Sequence, residues 1–185
     1  MPQRTVPTAD SLSNVALHYL ARFATSEAGL RRVLENRVRR AAMAHEDFAA
    51  DKAAQATLRA AIETVIARHK KSGVLDDAAF AAMKTRSLRR AGGSARRIAE
   101  KLQHKGIAKP LIAAALQPEE GQGAGETERH AALAYAKRRR LGPYRKQATD
   151  EAQRRKDYAA MARAGFAYDV VTTVLGGEAE EDMPL

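Results

Sequence analysis

The sequence predicts an all-α protein built from three tandem three-helix repeats that stack into an elongated, curved array. Apolar residues recur with a helical period along the chain, and no β-branched run alternates with polar residues over the length of a strand. Two segments of the chain also align with each other without a gap, as is typical of repeat proteins. Because a unit of this size cannot bury its apolar face alone, the repeats are expected to stack. A single mixed helical bundle is the alternative.

The first repeat is predicted over residues 11–73. An apolar stripe at helical spacing marks its first helix and consists of Leu12, Val15, Ala16, Tyr19, Leu20 and Phe23. Thr25 or Ser26 can cap the second helix, and a third helix ends near Gly73. Residues 41–55 are polar and rich in alanine, without a sharp breaker. We interpret them as a loop or a helical insertion.

The second repeat is predicted over residues 75–117. Its first helix begins at two acidic residues and ends at Gly92, and Ser94 caps the next helix. Gly106 fits the left-handed conformation after that helix, because glycine takes a positive φ without a Cβ penalty. A short third helix then carries the apolar residues Leu111, Ile112, Ala115 and Leu116.

Residues 118–125 are interpreted as a flexible linker, and a third repeat is predicted over 126–175. We expect two longer helices at about 126–140 and 144–164, with Gly165 ending the second. A last short helix is lined by Val170, Val171, Val174 and Leu175. The final ten residues, 176–185, are predicted to form an acidic, disordered tail.

The aligned segments are LQHKGIAKPLIAAAL, residues 102–116, and MARAGFAYDVVTTVL, residues 161–175. Gly106 pairs with Gly165 in this alignment, and Ile107 pairs with Phe166. In both segments a helix ends, a glycine and an apolar residue follow, and a short helix begins. We therefore expect the two segments to form the same helix–turn–helix element.

The chain is basic, with 32 Lys and Arg against 22 Asp and Glu and a formal net charge of +10. This balance favours a polyanionic partner or an acidic protein surface. Cys is absent, which excludes disulfides, thiolate metal sites and cysteine nucleophiles. There is no secretory signal, and no apolar stretch reaches the roughly 18 residues of a bilayer-spanning helix. We expect a soluble, cytoplasmic monomer.

No constellation of residues predicts catalysis or a cofactor. The five histidines are scattered without metal-ligand spacing, and no glycine-rich phosphate loop occurs. Asp76 and Asp77 resemble an acid pair, but capping of the following helix explains them. The aromatic residues at core-like spacing, for most of which base stacking is not expected, are Tyr19, Phe23, Phe80, Phe166 and Tyr168. The sequence thus predicts a binding protein, with no enzyme activity, cofactor or metal.

Positive charge is densest in the second repeat, where residues 76–117 hold nine Lys and Arg and three Asp and Glu. Two stripes at helical spacing are predicted to contact the partner: Arg86, Arg89 and Arg90, and Arg97, Lys101 and Lys105. A solvated helix face is the alternative for either stripe. Arg138, Arg139 and Arg140 are consecutive and point in different directions, so at most two of them contact a partner, taken as Arg138 and Arg139.

The second repeat resembles the middle of the bacterial RecX family of regulatory proteins. The shared features are Leu-Asp-Asp followed by an aromatic residue, a basic helix, a turn with glycine, an Arg-rich helix ending in Lys-Gly-Ile, and a short Leu-Ile…Ala-Leu helix. VALHYLARFATSEAGLRRVL and AGFAYDVVTTVL are similar to the family's first and last units, so the resemblance covers about residues 12–175. Residues 40–55, which are longer and lack a glycine, depart from it, as does the eighth helix, ATDEAQRRKDYAAMARA.

The resemblance implies tandem three-helix repeats and a role as a modulator of the recombinase RecA. Such proteins bind along the RecA–single-stranded DNA filament, lie in its groove, and inhibit strand exchange and filament growth. A general nucleic-acid-binding helical protein with no dedicated protein target is the alternative function.

Overall fold

The computed structural model describes residues 5–118, 123–146 and 150–176. These residues are helical, with no strand among them, and residue contacts divide the chain into two compact units. The first unit is Met1–Phe80 with Lys105–Ile107, and the second is Ala81–His104 with Ala108–Leu185. Part of the predicted linker, 119–122, and of the predicted tail, 177–185, lie outside the described residues.

The helices are consistent with three-helix repeats, and one short helix is additional. No described helix is long and apolar enough to cross a membrane. Chain order gives α1 (Ala9–Leu20), α2 (Glu27–Ala44), α3 (Glu46–Ala50), α4 (Lys52–Lys71), α5 (Asp77–Arg90), α6 (Ala95–His104), α7 (Lys109–Leu116), α8 (Ala124–Arg139), a 3₁₀ turn (Gly142–Tyr144), α9 (Glu151–Arg163) and α10 (Tyr168–Gly176).

The first unit packs α1, α2 and α4 around an aliphatic core. Its fully or almost fully buried side chains come from all three helices and include Leu12, Leu30, Leu34, Ile62 and Ile66. Ser26, one of the two predicted caps, accepts a hydrogen bond from the Gly29 N–H at the start of α2. Helix α4 ends at Lys71, two residues before Gly73, as predicted.

Residues 41–55 are mostly helical. Helix α2 continues to Ala44, and α3 follows with a buried Phe48. The buried amide of Gln55 holds this insertion against α4, because its Nε2 donates to the carbonyls of Phe48 and Ala49, each at 3.0 Å. These two bonds satisfy backbone acceptors that the short α3 leaves free.

Two of the five aromatic side chains placed at core-like positions are exposed, so the prediction was wrong for them. Phe23 is 54% exposed, because α1 ends at Leu20 and the chain turns before position 23. Its ring lies against Tyr19, with the centroids 5.1 Å apart. Tyr168 is 78% exposed at the first residue of α10. Of the others, Phe80 and Phe166 are buried and Tyr19 is partly buried.

The long helix predicted at 144–164 is also corrected. A 3₁₀ turn occupies Gly142–Tyr144, and α9 begins only at Glu151, where Asp150 accepts from the Gln153 N–H at 2.7 Å. Pro143 lies at the start of the 3₁₀ turn. A helical period alone did not locate the start of α9, which depends on its cap.

Each unit contains one copy of the same joint between repeats. In the first unit, the Ser26 hydroxyl donates to the Lys105 carbonyl at 2.5 Å, and the Glu27 N–H donates to Asp77 Oδ1 at 2.8 Å. A serine at a helix start thus binds the carbonyl that precedes Gly106, and a carboxylate from the next repeat accepts the following N–H. The hydroxyl of the buried Ser26 is thus satisfied both as a donor and as an acceptor.

The second unit repeats this arrangement with Ser94. Its hydroxyl donates to the Ala164 carbonyl at 2.7 Å, and the Ala95 N–H donates to the carboxylate of Glu128 at 3.1 Å. Ala164 precedes Gly165 as Lys105 precedes Gly106. Both glycines have positive φ, +79° and +93°, which agrees with the predicted equivalence of the two turns.

Asp157 organises the irregular segment of the third repeat. Its buried carboxylate accepts hydrogen bonds from the Gly142 N–H, the Gln153 amide and the Arg145 guanidinium, each at 2.8 Å. Burial alone would raise the pKa of Asp157, but these three donors lower it below its usual value. The carboxylate therefore stabilises the folded state in its ionised form.

We expect Asp157→Asn to lower the free energy of unfolding by about 2 kcal/mol at pH 7, because hydrogen bonds to the ionised group are lost. A carboxyl whose pKa is lower in the folded state stabilises it above the unfolded pKa of about 3.9, and this stability is lost as the pH falls through the folded pKa. Urea unfolding of both proteins between pH 7 and pH 3 should show the difference shrinking with acidity. A difference that stays constant over this range would contradict the assignment.

Candidate functional site

The predicted basic residues of the second repeat lie mostly at the surface. Arg86 and Arg90 are exposed on α5, and Arg97 and Lys101 are exposed on α6. Lys105 is exposed in the turn after α6, where its carbonyl accepts the Ser26 hydroxyl. Four of the predicted cations are thus available on α5 and α6, and a fifth lies just beyond α6.

Helix α6 divides cleanly into an apolar and a basic side. Ile98 and Leu102 are 1% and 0% exposed, whereas Arg97 and Lys101, one position before each, lie about 100° around the helix and face solvent. Glu100 lies 3.6 Å from Arg97, but this exposed pair neutralises little in water. The basic side of α6 can therefore bring two cations to one anionic surface.

Arg89 is placed differently from Arg86 and Arg90. It forms an ion pair with Glu128 and donates to the Gly93 carbonyl, and the side chains of Arg89 and Glu128 are only 15% and 17% exposed. Because Glu128 also accepts the Ala95 N–H, the ion pair fixes the turn between α5 and α6 against α8. We therefore assign Arg89 a structural role and leave it out of the candidate contact surface.

Replacing Arg89 by alanine is expected to lower the free energy of unfolding by about 2 kcal/mol, because a largely buried carboxylate loses its charged partner. Arg86→Ala, on the same helix, removes an exposed arginine and should change it by less than about 0.5 kcal/mol. Urea denaturation followed by circular dichroism would measure both. Equal, small effects would show that the ion pair contributes nothing.

Arg138 and Arg139 lie in the last turn of α8 and are exposed. Arg138 donates to the Ala91 carbonyl, and both guanidinium groups lie over the ring of Tyr135, at 5.7 and 5.9 Å from its centroid. Arg140 follows with a φ of +54° and ends the helix. The ring and the carbonyl hold the first two arginines at this end of α8.

No group of three or more His, Asp or Glu side chains that could hold a metal ion occurs among the described residues. His69 is buried, and burial together with the nearby Arg68 lowers the pKa of its imidazole. Asp76 acts as the predicted cap, accepting from the Ala78 and Ala79 N–H groups at 2.8 and 3.0 Å. Asp77 does not cap its own helix but accepts the Glu27 N–H, a contact between repeats that the sequence did not reveal.

Comparison with known proteins agrees with this description. A family model described as "RecX, second three-helix domain" matches residues 76–116. "Regulatory protein RecX" of Myxococcus xanthus (strain DK1622) is 37% identical over 175 residues, which cover 94% of this chain and 88% of that protein. The protein of the same name from Agrobacterium fabrum (strain C58) is 33% identical over 182 residues, which cover 97% and 91%.

Two solved structures have a similar fold. "Crystal structure of regulatory protein RecX" has a TM-score of 0.64 at 20% identity and covers 91% of this chain and 72% of that chain. "Crystal structure of RecX from Lactobacillus salivarius" has a TM-score of 0.62 at 17% identity and covers 91% and 94%. The identity to the two relatives extends along nearly the whole chain and confirms the resemblance seen in the sequence. The chain belongs to the RecX family of regulatory proteins.

Proposed function

We propose that this protein binds the RecA–single-stranded DNA filament and inhibits the recombinase, and so regulates recombination, DNA repair and the SOS response. Its membership of a family of regulatory proteins supports a regulatory role. The observation that carries the proposal further is the basic side of α6, where Arg97 and Lys101 face solvent about 100° around the helix from the buried Ile98 and Leu102. A filament of protein on single-stranded DNA offers the phosphates and acidic side chains that such a surface attracts.

The proposed contact surface consists of exposed cations of the second repeat, with a smaller contribution from the end of α8. Its members are Arg86, Arg90, Arg97, Lys101 and Lys105, together with Arg138 and Arg139. These side chains offer charge and hydrogen-bond donors. In the proposed mechanism the protein therefore acts by occupying its binding site on the filament, where it hinders strand exchange and filament growth. We propose that it acts as a cytoplasmic monomer, without a cofactor or an enzyme activity of its own.

ATP hydrolysis by RecA on single-stranded DNA tests this function. Addition of the protein at well below one molecule per RecA protomer should reduce the steady-state hydrolysis rate and the yield of strand exchange. The control is RecA mixed with an equal amount of an unrelated basic protein in place of this one. If hydrolysis stays unchanged while the protein binds DNA alone with a steep, uniform salt dependence, the general nucleic-acid-binding function replaces the proposed one.

A further inference from the structure

Three arginines line a groove between α2 and α4 of the first unit, and none of them belongs to the second repeat. Its volume is about 590 Å³, and a smaller lobe of about 280 Å³ shares Glu35, Arg59 and Ile62 with it. Arg32, Asn36 and Arg39 line one side at positions i, i+4 and i+7, which fall on one face of α2. Arg59 lines the other side from α4.

The positive charge of this groove is largely uncompensated. Arg31, beside the groove, is neutralised by Glu63 through two hydrogen bonds of 2.7 and 2.8 Å, which lower the pKa of that carboxyl and keep it ionised. Arg32 and Arg39, by contrast, form no ion pair with any residue in the described part of the chain. Glu35 is the one carboxylate among the residues lining the main groove, against three arginines.

The insertion of residues 41–55 positions part of this site. Gln55 commits its Nε2 to the carbonyls of Phe48 and Ala49, which leaves its Oε1 to accept from Arg59 Nη2 at 3.5 Å. The insertion therefore fixes Gln55, and Gln55 holds Arg59 at the edge of the groove. Val38 and Ile62, which are nearly fully buried, form an apolar floor between the charged walls.

We propose that this groove binds the sugar–phosphate backbone of a nucleic-acid strand directly, without the recombinase. Guanidinium groups bind phosphates through paired hydrogen bonds, and three of them line a groove of the size that accommodates a nucleotide. Asn36 favours a nucleotide strand over an acidic peptide, because its amide group can bind the edge of a base, whereas Glu35 repels either anion and does not discriminate between them. The strand thus has a contact on the first unit that is separate from the cations of the second repeat.

A pair of double variants with identical charge changes tests this site. Arg32→Glu/Arg39→Glu alters two groove arginines, and Arg37→Glu/Arg40→Glu alters two exposed arginines of the same helix that do not line the groove. Fluorescence anisotropy with a labelled 20-nucleotide oligo(dT) and no RecA measures binding. The groove variant should bind at least about tenfold more weakly than its control, with a salt dependence smaller by about one ion for each lost phosphate contact.

Melting curves of all variants accompany this measurement. If the glutamates unfold the helix, the alanine pairs Arg32→Ala/Arg39→Ala and Arg37→Ala/Arg40→Ala replace them with the same expected order of affinities. Equal weakening by groove and control variants would overturn the site, as would a wild-type protein that binds a poly-glutamate peptide but no oligonucleotide. The groove site and the proposed inhibition of RecA can fail separately. If the protein leaves RecA hydrolysis unchanged but binds DNA in a way that depends on the groove arginines, the proposed function is wrong and the groove site stands.

Discussion

Reversing the charge of Arg97, Lys101 and Lys105 to glutamate is expected to abolish inhibition of RecA while the protein stays folded. If each lost contact costs about 1 kcal/mol, three together weaken filament binding on the order of 100-fold. The three side chains are exposed, so each change should alter the free energy of unfolding by less than about 0.5 kcal/mol. Strand-exchange yield and RecA ATP hydrolysis measure the first effect, and circular dichroism with thermal melting measures the second.

A charge-matched variant controls for the loss of net positive charge. Arg154, Lys156 and Arg163 are exposed on α9, and their reversal to glutamate changes the net charge by the same amount. This control should retain most of the inhibition. Reversal of Arg86 and Arg90 then measures the share of α5. If the triple variant of Arg97, Lys101 and Lys105 and the double variant of Arg86 and Arg90 both inhibit RecA normally, the contact lies elsewhere and the assignment to the second repeat is wrong.

Gly106→Ala is expected to destabilise the first unit by about 3 kcal/mol. A Cβ at this position would lie 2.3 Å from the Cβ of Ala28, in the joint that Ser26 also forms, and the residue has a φ of +79°. The left-handed conformation costs about 1 kcal/mol for alanine, and overpacking adds roughly 1–3 kcal/mol. Urea unfolding measures the loss of stability.

Gly73→Ala separates these two costs. Gly73 has a similar φ of +73°, but a Cβ there meets no atom within 4 Å, so only the cost of about 1 kcal/mol for the conformation should appear. Ala28→Gly in the Gly106→Ala background should recover part of the stability, because it removes the atom that the new Cβ meets. Equal losses at positions 73 and 106 would show that the close approach at the joint has no energetic weight.

Local signals in the sequence predicted the helices and their turns well. Ser94 as a cap and the positive φ of Gly106 and Gly165 depend on neighbouring residues, and the structure confirms them. The start of α9 was missed, because an alanine- and charge-rich stretch has helical character on either side of its true beginning. Phe23 was misplaced because a periodic stripe does not state where its helix ends.

The side chains that differ most from their predicted roles make contacts distant in sequence. Arg89 fitted a surface stripe by spacing, but its partner Glu128 is 39 residues away. Asp77 looked like a second capping residue, and its actual donor, the Glu27 N–H, is 50 residues away. A helical period describes which residues share a face, whereas an ion pair across elements requires the packing of the fold. The exposure of the cations of α6, by contrast, could be predicted from the helical period alone.

The serine of each joint makes two hydrogen bonds, of which the corresponding residue of the third repeat can make only one. A hydroxyl accepts a bond from its own helix and donates one to a neighbouring carbonyl, as Ser26 and Ser94 do. At the start of α9 the corresponding residue is Asp150, and an ionised carboxylate accepts but cannot donate. Another repeat placed there would meet a carbonyl opposite a negative charge. Asp150 therefore lacks the donated hydrogen bond with which Ser26 and Ser94 bind the carbonyl of the next repeat.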